Sequence, residues 1–103
     1  MPFSLWLFPP GRIVISQDAI AVLEDSGDTL FSFVNRHVCG DWGDVDPERK
    51  AANMVALLTG ERLFSAYRTA VGRELWVVTD QKLATTGVLL PNEYHSKYRA
   101  RRS

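Results

Sequence analysis

Five residues able to carry protons or hold cations fall within twelve positions: His37, Asp41, Asp44, Asp46 and Glu48. Carboxylates at this density can hold a hard cation such as Mg²⁺ or Ca²⁺. With His37 beside Asp41 and Asp44, that would make a small metal-assisted hydrolase or nuclease. The spacing is not that of an EF-hand, whose glycine and terminal glutamate would have to stand elsewhere. A second reading needs no ligand. Asp41 and Asp44 bond loop amides, Asp46 caps a helix, and Trp42, set between Gly40 and Gly43, anchors the loop in the core.

His37 and Cys39 resemble half of a zinc site, but a structural site needs four ligands. The chain has one cysteine and one further histidine, His95. As a thiol and its base they stand at i and i+2, where side chains point apart; a lone cysteine more commonly packs as a small buried thiol. Ser65, Tyr67, Thr79 and Thr85 fall where one sheet face could gather hydroxyls, for cross-strand bonding or a polar pocket. Tyr67 and Trp76 could stack bases, yet no Lys or Arg cluster flanks them on a sheet. No phosphate loop, dinucleotide fingerprint or serine elbow is present. The residues therefore point to no catalytic set, no metal and no cofactor.

The elements that must position these residues follow from caps and periodicity. Residues 1–11 are an apolar leader ending in Pro9-Pro10-Gly11. Phe3, Leu5, Trp6, Leu7 and Phe8 are apolar enough to pack on the domain or on a partner. Arg12–Ile15 is a β-branched run, either a strand or the lead-in to a helix. Ser16 is an N-cap, with Ala19, Ile20, Val22 and Leu23 at helical spacing behind it. Asp28 caps a second helix with Leu30, Phe31, Phe33 and Val34 as its apolar face. Asp46-Pro47-Glu48 opens a third, with Ala51, Met54, Val55 and Leu58 as the expected buried face and Gly60 as the stop.

From Arg62 the period changes to two. Residues 62–69, 74–79 and 84–90 read as three strands joined by short turns. The expected fold is α+β, with two to three N-terminal helices packed on a three-stranded antiparallel β-meander. Residues 12–94 form one domain, and 95–103 form a basic tail.

The series His37-Val38-Cys39-Gly40-Asp41-Trp42-Gly43-Asp44, Asn53, Ser65-Ala66-Tyr67, Leu75-Trp76-Val77-Val78-Thr79 and Thr85–Tyr94 resembles a family of small proteins carried on plasmids, phages and integrated elements. Members share an H-x-x-G-D-W-G-D box, an S-A-Y strand, an I-W-I-I-T strand and a T-T-x-L-L-P-x-E-Y end. The likeness covers roughly residues 16–94. It implies a setting of conflict between mobile elements and host defence, and no established reaction. Several members carry T-E-A-D-R-S after the tryptophan strand. Here Thr79–Ala84 reads Thr-Asp-Gln-Lys-Leu-Ala, without the Asp-Arg pair.

Composition bounds the function. The 103 residues are 46% hydrophobic, enough for a core in one domain. A domain this small buries about two-thirds of its unfolded surface, so a homodimer would add stability. Basic and acidic residues number 12 each, but Lys97, Arg99, Arg101 and Arg102 lie in the last seven positions, leaving eight positive against twelve negative charges before them. That is not the footprint of a dedicated nucleic-acid binder, though the tail could touch phosphate, as in a dimeric DNA-binding regulator. A single cysteine suits a reducing compartment, and Leu5–Phe8 is too short to cross a bilayer and lacks a basic flank. The expected location is the cytoplasm, and no membrane partner is expected. The expected function is protein–protein binding, as an inhibitor of a host defence complex of the anti-CRISPR or anti-restriction kind. Trp6, Phe8, Asp41, Trp42, Asp44 and Tyr67 are the expected binding residues.

Overall fold

In the computed structural model, which describes residues 6–94, polar caps start each helix. Ser16 Oγ accepts from Ala19 N at 3.0 Å and begins α1 (Gln17–Ser26). Gly27, in left-handed conformation, closes it. The second helix, α2 (Leu30–Val38), is capped by Thr29, not by Asp28. The Asp28 carboxylate instead accepts from Ala70 N at 2.8 Å, tying the α1–α2 corner to a strand turn far along the chain. Asp46 caps α3 (Pro47–Thr59) at Arg49 N, 2.8 Å, with Pro47 in the first turn and Gly60 beyond the last.

The sheet departs from the expected meander. Arg12–Ile15 is a strand, β1, and it joins β2 (Leu63–Arg68), β3 (Glu74–Asp80) and β4 (Thr85–Leu89) in the order β1-β4-β3-β2. β1 pairs with β4 in parallel, while β2–β3 and β3–β4 are antiparallel, so the sheet is mixed and four-stranded. A helical turn over residues 91–94 follows β4. Among the described residues no helix is long and apolar enough to cross a membrane. Residues 1–5 of the leader and the whole basic tail, with His95, lie outside the described residues.

One sheet face carries Leu63, Ser65, Tyr67, Leu75, Val77, Thr79, Thr86 and Val88. These pack against Ala19, Val22 and Leu23 of α1, and Phe33, Val34 and Val38 of α2. Phe8 and Trp42 complete this core.

The outer edge of β2 is closed by the chain itself. Ala66 N–H donates to Trp42 C=O at 3.1 Å, and Asp44 N–H donates to Ala66 C=O at 2.7 Å. The Gly-Asp-Trp-Gly loop thus forms a bridge at Gly43–Ala66. One step along, Asn53 of α3 donates to Phe64 C=O at 2.8 Å and accepts from Phe64 N–H at 3.1 Å. A side-chain amide here stands in for a neighbouring strand.

Gly43 has a φ of 75°, and a Cβ there would overlap the Ala66 carbonyl oxygen and stand 2.7 Å from Tyr67 Cδ1. Gly27 has a φ of 78° but open space around it. Gly43→Ala therefore combines backbone strain with overpacking and should cost about 3 kcal/mol. Gly27→Ala should cost only about 1 kcal/mol. Urea unfolding of the two variants tests this, and equal losses would contradict the role given to Gly43.

Candidate functional site

The loop whose carboxylates could have held a cation is bound up in its own contacts. Asp41 pairs with Arg36 Nε at 2.7 Å and accepts from Gly43 N at 3.2 Å. The Arg36 hydrogen bond holds the Asp41 carboxyl below its ordinary pKa. Asp44 faces Arg68 Nε at 3.8 Å, and Asp46 caps α3. His37 is fully buried, with both ring nitrogens occupied elsewhere. It is not brought together with Asp41 and Asp44. Among the described residues no group of three His, Cys, Asp or Glu side chains is placed to hold a metal ion. Cys39, expected as a buried thiol, is exposed at the end of α2.

His37 instead belongs to a buried hydroxyl chain whose polarity can be worked out. Thr86 Oγ1 donates to Pro10 C=O at 2.6 Å, because a carbonyl only accepts. Thr86 has then spent its proton and must accept from Thr79 Oγ1, 2.7 Å away. Thr79 in turn must accept from His37 Nε2 at 2.8 Å. The imidazole therefore carries its proton on Nε2, and Nδ1 accepts from Ser65 Oγ at 2.6 Å. Every member is satisfied, and no described buried side-chain nitrogen or oxygen lacks a partner. The short Ser65–His37 contact has the form of a nucleophile and its base. Both groups are sealed in the core, beneath Phe8 and Trp42, whose rings lie 5.2 Å and 5.7 Å from the imidazole. The hydroxyl expected from Thr85 is supplied by Thr86; Thr85 sits on the opposite face, one residue out of register.

The six expected binding residues separate into two groups. Phe8, Trp42 and Tyr67 are buried. Tyr67 stacks on Phe33, 5.4 Å between centroids, and its hydroxyl donates to the Asp41 carbonyl. Burial pushes that phenol well up from its ordinary pKa. Trp6, Asp41 and Asp44 are at the surface, and Trp6 Nε1 donates to Asn35 Oδ1 at 3.3 Å. Tyr67 and Trp76, considered together as a stacking pair, lie on opposite faces of the sheet. Trp76 packs with Tyr94, and Tyr94 with Phe64, at 5.4 and 5.5 Å between centroids.

What sequence reasoning missed is the orientation of α3. Ala51, Met54, Val55 and Leu58 were expected inside, and all four are exposed, Met54 by 52%, Val55 by 58% and Leu58 by 89%. The buried positions are Asn53 and Ala56. The helix must turn Asn53 toward β2 to pair Phe64, and this turns its apolar stripe outward. No residue from 51 to 60 carries a charge. At the start of α3, Asp44, Asp46 and Arg49 border a hollow of about 380 Å³ floored by Phe64, Ala66 and Trp76. The Arg49 guanidinium lies 4.4 Å over the Phe64 ring. The one signal available beforehand was Asn53, a polar residue inside an apolar helical repeat.

Desolvation lowers the His37 pKa from 6.5 to about 3. Between those values the unfolded chain binds a proton that the folded chain refuses. The stabilisation is complete above pH 6.5 and is lost as pH falls toward 3. Stability should decline by about 1 kcal/mol per pH unit through that window. Urea unfolding at pH 7, 6, 5 and 4 measures this, and His37→Gln should flatten the slope. Thr86→Val strands the Thr79 proton and the Pro10 carbonyl and should cost about 2 kcal/mol at pH 7; a neutral effect would contradict the chain.

Comparison with known proteins finds no matching family model, no matching curated protein and no matching solved structure.

Proposed function

We propose that this protein works by binding another protein through the outward face of α3, and that its partner belongs to a host defence complex. The carrying observation is the stripe Ala51, Met54, Val55 and Leu58. These stand at i, i+3, i+4 and i+7 on one helix, exposed and free of charge along ten residues. That is the spacing of anchors that enter an apolar groove or meet a second helix. Each large side chain left in water forgoes about 1.5–3 kcal/mol of burial, which a partner can return. The hollow beside Asp44, Asp46 and Arg49 lies on the other side of the helix, where Arg49 covers Phe64, and is separate from this stripe.

The motif series supplies the setting. A mobile-element protein that binds rather than reacts fits an inhibitor of the anti-CRISPR or anti-restriction kind. Trp6, exposed at the far end of α2, and Asp41 complete the expected contact residues but stand apart from the α3 stripe in the chain.

Tagged wild-type protein should capture a defence component from host lysate, and cells carrying it should restrict phage less. Leu58→Glu and Met54→Glu should abolish both effects. Because these side chains are solvated, the melting temperature should move by only a few degrees. Capture that survives both substitutions would remove α3 as the surface. Normal restriction in cells carrying the wild type would remove the defence reading.

A further inference from the structure

The two edges of the sheet are treated differently. The β2 edge is paired by the Gly43 loop and by Asn53. The β1 edge has no such cover among the described residues. Arg12 N–H donates to Ala84 C=O at 2.9 Å and Ser16 N–H to Val88 C=O at 3.1 Å. In a parallel ladder the backbone groups of residues 12, 14 and 16 therefore face β4, and those of Ile13 and Ile15 face away from the sheet. Edges are commonly protected by brevity, by charged side chains, by proline or by a bulge. The strand Arg-Ile-Val-Ile is short and carries one charge, Arg12, but Ile13–Ile15 holds no charge, proline or bulge. Ile13 is 41% and Val14 42% exposed, and Ile20 of the adjoining α1 is exposed too.

We propose that β1 pairs antiparallel with β1 of a second copy of this chain, about a two-fold axis through Val14, to form a continuous eight-stranded sheet. The outward groups fix the register. Ile13 of one protomer exchanges two backbone bonds with Ile15 of its partner, and the two-fold repeats this, giving four bonds. Val14 then faces Val14 across the axis, and Arg12 faces Ser16, both as pairs that are not hydrogen-bonded, where side chains approach most closely.

Charge argues for a second copy as the occupant. Arg12 has no acidic partner within its own chain among the described residues. Ser16 Oγ donates to Glu93 Oε1 at 2.7 Å, and Glu93, which also accepts from Leu90 N at 2.8 Å, has no cationic partner there. Arg12 and Ser16 share one face of the strand, and Arg12, Ser16 and Glu93 border the same surface hollow. The proposed register carries each Arg12 to the Ser16–Glu93 corner of the partner, so one contact satisfies both ions twice. Ile13 and Ile15 pair on the other face, beside α1. An unrelated strand would meet the backbone groups but would have to bring its own acid opposite Arg12.

Sedimentation equilibrium of the full chain from about 1 µM to 1 mM should show a reversible monomer–dimer equilibrium. Ile13→Pro removes an outward N–H and no bond to β4, so it should leave the circular dichroism unchanged and weaken the dimer at least tenfold. Arg12→Glu should weaken it similarly, and the double variant Arg12→Glu/Glu93→Arg should restore it. Val14→Cys in a Cys39→Ser background should give a disulfide-linked dimer with diamide, since Cα atoms of such a pair lie about 4.5 Å apart. A monomer throughout the concentration range overturns the proposal. So does a dimer that survives Ile13→Pro, or one abolished by Leu58→Glu, which would assign self-association to α3. Loss of partner capture with the dimer intact would bear on the α3 reading alone.

Discussion

The outer edge of β2 has to be paired, and much of the molecule is arranged to pair it. An unpaired strand edge is a template for association with other chains. Here the requirement is met from within, by loop backbone at Ala66 and by the Asn53 side chain at Phe64. Meeting it sets the position of the loop and the rotation of α3 together. Once Asn53 faces inward, the repeat through Met54, Val55 and Leu58 must face out. The exposed stripe is therefore a consequence of closing a sheet edge, and it leaves an apolar surface that association with a partner would cover.

The same loop organises the core. Asp41 is held by Arg36 and lends its carbonyl to Tyr67, while Trp42 packs against both Phe8 and His37. Gly43 lets the backbone approach Ala66 and Tyr67 more closely than any side chain would allow. Below it the chain from Ser65 through His37, Thr79 and Thr86 to Pro10 joins β2, α2, β3, β4 and the segment leading into β1. A buried network of this kind specifies one arrangement because each donor has one acceptor in reach. An imidazole enclosed in this way serves as a neutral strut. Its ring nitrogens are both committed, which leaves nothing for a substrate or a metal to engage.

Much of the local structure was legible in the sequence. Ser16, Asp46-Pro47 and Gly60 mark helix ends through hydrogen bonds made within a few residues, and the change from helical to alternating period after Gly60 announced the strands. The Gly-Asp-Trp-Gly box read as a turn around a core tryptophan, and that reading needed only local chemistry. Asp28 misled because Asp and Thr are both good caps, and the choice fell to Ala70, forty-two residues away.

Sequence by itself determined the three long helices and the three strands after Gly60, the caps Ser16, Asp46 and Gly60, and that an apolar stripe runs along α3. Those properties depend on neighbours a few positions apart, and periodicity records them directly. Tertiary structure decided that β1 lies parallel to β4, that Thr86 rather than Thr85 joins the buried chain, and that the α3 stripe faces solvent. Periodicity shows that a face is apolar and is silent on what covers it. The outcome at α3 turned on one amide bonding to one strand edge. That contact joins α3 to β2, and only the assembled sheet shows which edge was left to be closed.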